Sequence, residues 1–289
     1  MSSLNRIFIH SFAKRPVSQI FYRKQQGDIF TRSKLLKAIA LFCRPGSLNY
    51  RLLGMISVCM ASLNGAKYIA EQIDSILLQL NSGDELIISD DGSTDDTITI
   101  IKSYQDSRIK LIQNNFSGGV AKNFETSLKI SKGDFIFLAD QDDVWVPTKI
   151  KIMLYQLNYY DLVISDCLMV DHALKTKSAS FFSANNSGRG LIRNIFRNSY
   201  MGCCMAFNRK LLNRALPFPK DIPIHDFWIG LIGEMYFKVH FMPEVLVYHR
   251  RHASNASSTG EVSSLSLSQK IGNRYRMVKN LFFHKSYAA

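Results

Sequence analysis

No apolar run in this chain approaches the roughly 18 residues that would suggest a membrane-spanning helix. A secretory leader is not expected either, because residues 5–12 are too polar and no A-x-A-like cleavage site follows. The five cysteines (Cys43, Cys59, Cys167, Cys203 and Cys204) are odd in number and lack CxxC spacing, which fits reduced thiols in a cytoplasmic protein rather than a disulfide framework. Adjacent Cys203 and Cys204 are expected to alternate between strand faces instead of bonding to each other. Acids are scarcest at the start. Residues 1–54 hold ten Lys or Arg against the single acid Asp28, which is +9 of the net +13. Aromatics such as Phe8, Phe12, Phe21, Tyr22 and Phe30 are interleaved with these cations. Such a basic extension suits a solvated arm or the surface of an anionic membrane. It would also suit RNA, but no RNP-type aromatic strand accompanies it. From residue 55 onward the chain is only mildly basic, so no nucleic-acid partner is needed to explain it.

What is present is a regular alternation of short apolar runs with helical periods, the pattern of an α/β protein with a mostly parallel sheet flanked by helices. At 289 residues one such domain with extensions is expected. Strands are predicted at 56–62, 86–89, 109–113, 135–139 and 162–165, with helices at 66–80, 95–104, 120–130 and 147–160 between them. The second half is less regular. Residues 172–190 are polar and Ser-rich and read as a mobile loop. A short helix at 191–196, a strand at 203–207, helices at 209–216 and 227–236, and strands at 239–242 and 245–248 follow. Residues 253–260 read as a flexible loop. Beyond them Ile271, Tyr275, Val278, Leu281 and Phe282 make an apolar helical stripe expected to pack on the core.

Two of the predicted strands end in acids. Asp134-Phe-Ile-Phe-Leu-Ala-Asp140-Gln-Asp142-Asp143 delivers three carboxylates within four positions. Crowded carboxylates raise one another's pKa, so a site that keeps them ionised supplies a metal, a basic partner or water. Oxygen ligands suit Mg²⁺ or Mn²⁺, which commonly bridge carboxylates to nucleotide phosphates. A solvated acidic turn ahead of Pro147 is the alternative. The run ending in Asp90-Asp91-Gly92-Ser93 repeats the arrangement, with Ser93 placed to cap the next helix. In an open α/β sheet, ligands sit outside the carboxyl ends of the strands, so both turns can line one crevice. Asp90 or Asp91 would then meet a base or ribose, and Asp140 and Asp142 a sugar, phosphate and metal. Asp95 and Asp96 fit a first helical turn, where acids offset the dipole, and are assigned no chemistry. Gly118 and Gly119 precede a helix whose N–H groups can receive an anion, although a simple turn explains them equally.

In order, Ser57-Val-Cys-Met-Ala-Ser-Leu-Asn-Gly65, Ser89-Asp-Asp-Gly-Ser-Thr-Asp95, Leu138-Ala-Asp-Gln-Asp-Asp-Val-Trp145, residues 198–209 and His225-Asp-Phe-Trp228 resemble family 2 glycosyltransferases of the GT-A fold, and most resemble the bacterial rhamnosyltransferase-like branch. The likeness covers about residues 56–255. It implies a GT-A domain over 55–255 with a nucleotide-binding sheet and a smaller acceptor-side half, between a basic extension at 1–54 and a loop with an amphipathic helix at 256–289. By the same resemblance Ser62, Asn64 and Asp91 hold base and ribose, Asp140 contacts ribose, and Asp142 belongs to a metal-bound diphosphate site. Asp226 matches the general base and Arg250 a diphosphate contact. His252 matches a third metal ligand, with His249 as its alternative. His225 is either a partner of Asp226 or a packing residue, and Trp228 is expected in the core.

The expectation is a metal-dependent, inverting transferase that takes a sugar from a nucleoside diphosphate donor, dTDP-rhamnose or a UDP-sugar. The acceptor is a glycan or lipid-linked glycan in bacterial surface polysaccharide synthesis, at the inner face of the cell membrane. Two alternatives stand beside it. A nucleotidyltransferase would show a Gly-rich loop with Arg and Lys after the first strand, where this chain has Ala61-Ser-Leu-Asn-Gly65. A non-catalytic protein binding a membrane or RNA through residues 1–54 would not need the acidic turns.

Overall fold

The computed structural model describes residues 54–114, 118–252 and 266–284. The basic extension and the polar loop at 253–260 therefore lie outside the described residues. Nine strands make one sheet in the order β3-β2-β1-β4-β8-β6-β9-β5, with β7 added on β6. The first four are β1 (Ile56–Ser62), β2 (Glu85–Asp90), β3 (Ile109–Gln113) and β4 (Phe135–Asp140), and they run parallel. β1 and β2 are apolar and buried along most of their length, as befits strands covered on both faces. Helices α1 (Ile69–Leu77), α2 (Thr97–Ser103) and α3 (Gly119–Ile130) make the crossovers.

Beyond β4 the sheet becomes mixed. β8 (Met205–Asn208) is antiparallel to both β4 and β6 (Leu162–Val170), whereas β9 (Val239–Arg250) runs parallel to β6. The two-residue β5 (Val144–Trp145), directly after the acidic turn, pairs antiparallel with Val247 and Tyr248 of β9. That pairing is what brings the acidic turn to the basic end of β9. Helix α4 (Lys149–Leu157) returns the chain to β6.

Several elements differ from the sequence reading for local reasons. α1 starts later than expected because Asn64 adopts φ 49° and the Gly65 carbonyl accepts from the Tyr68 and Ile69 N–H groups in a turn. α2 starts at Thr97, and Ser93 caps no helix: its hydroxyl accepts from Asn64 N and donates to Asp90. Within residues 172–190, expected as a mobile loop, lie β7 (Thr176–Ser180) and α5 (Phe181–Asn185). Asp171 closes the hairpin turn by accepting from Ala173 N and Lys175 N, and Ser180 caps α5 through Ser183 N. The two strands expected at 239–248 are one strand, with register shifts around Met242 and Val245 where Pro243 has no N–H to give the ladder. Cys203 and Cys204 lie in a 3₁₀ turn (Gly202–Cys204) instead of a strand, with their Sγ atoms 4.0 Å apart and unbonded.

α6 (Leu191–Phe196), α7 (Arg209–Ala215) and α8 (His225–Tyr236) cover the second half, with α9 (Leu267–Phe283) against them. The stripe expected to pack on the core does so only at Leu281; Ile271, Tyr275 and Phe282 are exposed, and Met277 takes the inward position.

The join between β1 and β4 leaves no room at Gly133, where an added Cβ would come within 2.5 Å of Ser57 N and 2.7 Å of Met55 O. Gly133→Ala is predicted to destabilise the protein by about 1–3 kcal/mol. Gly83→Ala, with nothing within 4 Å of its Cβ, should stay within about 0.5 kcal/mol. Urea unfolding of the two variants measures both.

Candidate active site

Parallel register places the acidic turns side by side. Ser62 pairs with Asp90 and Ala61 with Asp140, so the carboxyl ends of β2, β1 and β4 finish at one level. The two turns then do different work. Asp90 is buried with both oxygens engaged, accepting from Gly92 N and Ser93 N of its own turn on one and from the Ser93 hydroxyl and the Ser62 hydroxyl of β1 on the other. Asp91 accepts from Gly118 N and Gly119 N at 3.1 Å each. The anion at the start of α3 is therefore the protein's own carboxylate, at a place where Gly119 takes φ +74°. Asn64 is exposed, and its side-chain oxygen accepts from Thr94 N at 2.8 Å. Below them Asn123 donates to the Ser62 carbonyl and accepts from Asn114, tying the ends of β1 and β3 to α3.

The second turn is where charge accumulates. Burial, then the charges of Asp143 and Asp142, raise the Asp140 pKa well above the carboxylate range, and Asp226 adds to the effect. Asp142 is raised for the same reasons, burial first and then Asp143. Asp143 goes the other way. Burial opposes its ionisation, but His249 outweighs burial through charge and a 3.0 Å bond to Nδ1, helped by Arg250 N at 3.0 Å. In return, and against burial, Asp143 raises His249 to about 9. Asp143 and His249 are thus a closed ion pair linking the acidic turn to β9. Lys149 is also fully buried; it donates to the Cys203 carbonyl and sits 3.9 Å from the centre of the Trp145 ring.

Arg250 is 2% exposed and braces this turn. Its guanidinium donates to the carbonyls of Asp142 (2.8 Å) and His172 (2.6 Å) and pairs with Glu71, over the ring of Tyr68. His252 Nε2 lies 2.9 Å from Asp142 Oδ2, and its ring packs on Tyr68. Two groupings therefore offer a cation donor atoms. Atoms of Asp140, Asp143, Cys203 and His249 fall within 4.8 Å of one another, but the last three are sealed in the core and the Asp143 and His249 charges already answer each other. Asp142 and His252 stand on the open side, with side chains 11% and 19% exposed, and their oxygen and imidazole donors fit a divalent ion.

Asp226 sits in the first turn of α8, which opens two residues earlier than the sequence suggests. Its carboxylate accepts from Gly202 N at 3.0 Å and Phe227 N at 2.6 Å, and burial, only partly offset by these bonds, lifts its pKa to about 6. His225 makes no hydrogen bond to Asp226, although both border Gly202. It stacks on Phe124 with ring centroids 4.0 Å apart, and burial drops its pKa to about 3, which makes it a neutral packing residue and no partner of Asp226. Trp228 is fully buried with its N–H on the Ala215 carbonyl, as expected.

Residues the sequence did not flag hold the arrangement. Gln141, within the acidic turn, exchanges two 2.9 Å bonds with the Leu63 backbone, and a Cβ on Gly65 would meet its Oε1 at 2.2 Å. Gln72 donates to the Asp140 carbonyl. Amides inside a motif of carboxylates carry no sequence signal of their own. The buried Lys149 did have one, as the cation on a helix face whose other buried residues, Ile150, Met153 and Leu157, are apolar.

Comparison with known proteins adds the following. Residues 57–216, more than half of the chain, match the family described as glycosyl transferase family 2. The chain is 40% identical over 124 residues to the UDP-Glc:alpha-D-GlcNAc-diphosphoundecaprenol beta-1,3-glucosyltransferase WfaP of Escherichia coli, which is 38% of this chain and 49% of that one. The chain thus spans about half the length of this relative. Among solved structures, S. aureus TarS 1-349 in complex with UDP-GlcNAc superposes with a TM-score of 0.59 at 19% identity, over 80% of this chain and 73% of that one. The mannosyltransferase PcManGT from Pyrobaculum calidifontis, in complex with GDP-Man and Mn²⁺, gives 0.55 at 20% identity, over 78% and 65%. At these identities the structural likenesses establish the fold, which is GT-A.

The closed pair makes a prediction. His249 is raised from 6.5 to about 9, so its stabilisation is fully present below pH 6.5 and is lost as pH rises through 9. In chelator-treated buffer the wild type should lose roughly 3 kcal/mol across that window. His249→Ala, which leaves Asp143 buried without its partner, should lack this slope and be about 3–5 kcal/mol less stable at pH 6. Urea titrations at several pH values read both effects.

Proposed function

The chain belongs to glycosyl transferase family 2, and from that premise we propose an inverting displacement in which Asp226 is the base that deprotonates the acceptor hydroxyl. The observation that carries this reading is the Asp226 carboxylate itself: buried, pinned by two backbone N–H groups, and raised to about 6. At neutral pH it is largely ionised, yet basic enough to take a proton as the hydroxyl attacks. A positioned base of this kind contributes about 10²- to 10⁴-fold. A single displacement requires one such carboxylate, and inversion at the anomeric carbon follows from it.

The donor we propose is a nucleoside diphosphate sugar. A UDP-hexose is favoured by the donor in the name of WfaP and by the UDP-GlcNAc in the TarS complex. dTDP-rhamnose stands second, on the motif resemblance alone. The acceptor class we propose is a lipid-linked glycan, supported by the diphosphoundecaprenol substrate in the name of WfaP. On that acceptor, the reaction we propose belongs to bacterial surface polysaccharide synthesis, at the cytoplasmic face of the membrane. No helix among the described residues is long and apolar enough to cross a bilayer.

Within the crevice, Ser62, Asn64 and Asp91 are assigned to base and ribose and Asp140 to ribose. Asp142 and His252 would hold Mg²⁺ or Mn²⁺, an assignment supported by their donor types and open position. A divalent ion there supplies charge that stabilises the departing nucleoside diphosphate. Arg250 fixes the height of the turn through the Asp142 carbonyl, and the diphosphate takes the place of Glu71 beside its guanidinium.

Purified protein tested against a panel of nucleoside diphosphate sugars, with Mg²⁺, Mn²⁺ or chelator, should slowly release one nucleoside diphosphate in a metal-dependent way. Release unaffected by chelator would remove Asp142 and His252 from their role. Because the base must be ionised, kcat is expected to fall as pH drops through about 6. Asp226→Asn should leave the donor Kd within about twofold while lowering kcat by at least about 10²-fold. Normal turnover in that variant would refute the assigned base.

A further inference from the structure

α9 lies against α6, held by the Arg274 guanidinium, which donates to the carbonyls of Ile195 and Phe196. Together the two helices carry no acid, and they carry five cations: Arg193, Lys270, Arg274, Arg276 and Lys279. They also expose large apolar side chains that a water-facing surface does not favour. Ile192 is 73% exposed, Phe196 70%, Ile271 59%, Tyr275 67% and Phe282 69%. On α9 the core side is marked by Met277 and Leu281. At 100° per residue the exposed residues Leu267, Ile271, Tyr275 and Phe282, with Val278, fall in an arc about 80° wide, centred about 100° from that core side. The arc is flanked by Arg274 on one edge and by Lys279 and Arg276 on the other. α9 is therefore amphipathic twice, once toward the protein and once toward something outside it.

We propose that this face, α9 with the adjoining edge of α6, docks on a bilayer surface carrying anionic lipid. Charge decides the occupant. An apolar strip bordered only by Lys and Arg complements a layer whose interior is hydrocarbon and whose headgroups are negative. A second copy of the same face would oppose Arg274, Arg276 and Lys279 to cations of its own kind, with no acid on either helix to answer them. Docking of this kind goes beyond the transfer reaction and does not depend on it, since lipid binding is measured without donor or acceptor.

The test is co-sedimentation of the full chain with vesicles of phosphatidylglycerol and phosphatidylcholine, against vesicles of phosphatidylcholine alone. Binding is expected only to the anionic vesicles and should weaken as salt rises toward about 0.5 M, where exposed charges are screened. Two variant sets probe the two halves of the argument. Phe196→Ser with Ile271→Ser and Tyr275→Ser removes apolar surface and no charge. Arg276→Glu with Lys279→Glu reverses charge and removes little apolar surface. Each should weaken binding about tenfold or more, with unchanged thermal melting and unchanged donor hydrolysis. Equal binding to neutral vesicles, salt-insensitive binding, or wild-type binding by the serine variant would overturn the proposal; the last would assign lipid contact to residues 1–54. A dimer in sedimentation velocity that the serine variant abolishes would also overturn it, and would give the face to a second copy.

Discussion

The candidate site depends on one buried contact, the ion pair between Asp143 and His249. β4 and β5 are separated by only the acidic turn, and β5 is two residues long, too short to hold its place on β9 by backbone pairing alone. Asp143 supplies what the short strand lacks. Its Oδ1 accepts from both His249 Nδ1 and Arg250 N, so one carboxylate fixes the register of the turn against β9. Once that register is set, the Arg250 side chain reaches back to the Asp142 carbonyl and the His252 ring meets the Asp142 carboxylate. Removing one partner from a buried pair leaves an uncompensated charge, so the geometry of Asp142 is coupled to the Asp143–His249 pair.

The remaining acids are left under tension. Asp140 and Asp142 are pushed up by burial and by Asp143, whereas His249 holds Asp143 below the usual carboxylate range. Lys149 and His249 lie near enough to moderate the repulsion, but Lys149 is itself disfavoured as a cation by burial. Ionisation of these two acids is therefore opposed by their surroundings, and a cation beside them would offset that opposition. Asp226 differs from the pair across the crevice because its two N–H donors limit the rise to about 6. The same protein thus separates its carboxylates by environment: Asp143 is held down by His249, Asp140 and Asp142 are raised by burial and by Asp143, and Asp226 is raised to about 6.

The strands and crossovers of the first half were legible because each is an apolar run bounded by turn residues, and both acidic turns fall at strand ends as their patterns require. Ser62, Asp91, Asp140 and Asp142 fall at the carboxyl ends of β1, β2 and β4, and Asp226 lies near enough to Asp140 to raise its pKa. What was not legible is how they divide the work. Asp90 and Asp91 look equivalent as neighbours, yet Asp90 closes its own turn and Asp91 receives α3. Three acids in four positions suggested a cation, but only the pairing of β5 with β9 shows that His249 is the cation for one of them. Segment 172–190 misled because its order comes from side chains, Asp171 in the turn and Ser180 at the cap, and not from apolar periodicity.

The helix that presents Asp226 links the crevice to the exposed face of the second half. α8 packs on both α6 and α9, and Glu234 near its far end accepts from Gly190 N at the start of α6. Its first turn thus faces the carboxylate cluster while its flank rests on the two helices that carry the basic apolar surface. Asp226 is held from both sides, by the Gly202 and Phe227 N–H groups at its carboxylate and by the packing of α8 on α6 and α9. On the proposed function, docking of that layer on a bilayer would bring an acceptor glycan anchored there toward the Asp226 carboxylate, and recognition of the lipid surface and orientation of the acceptor hydroxyl would rest on the same packed helices.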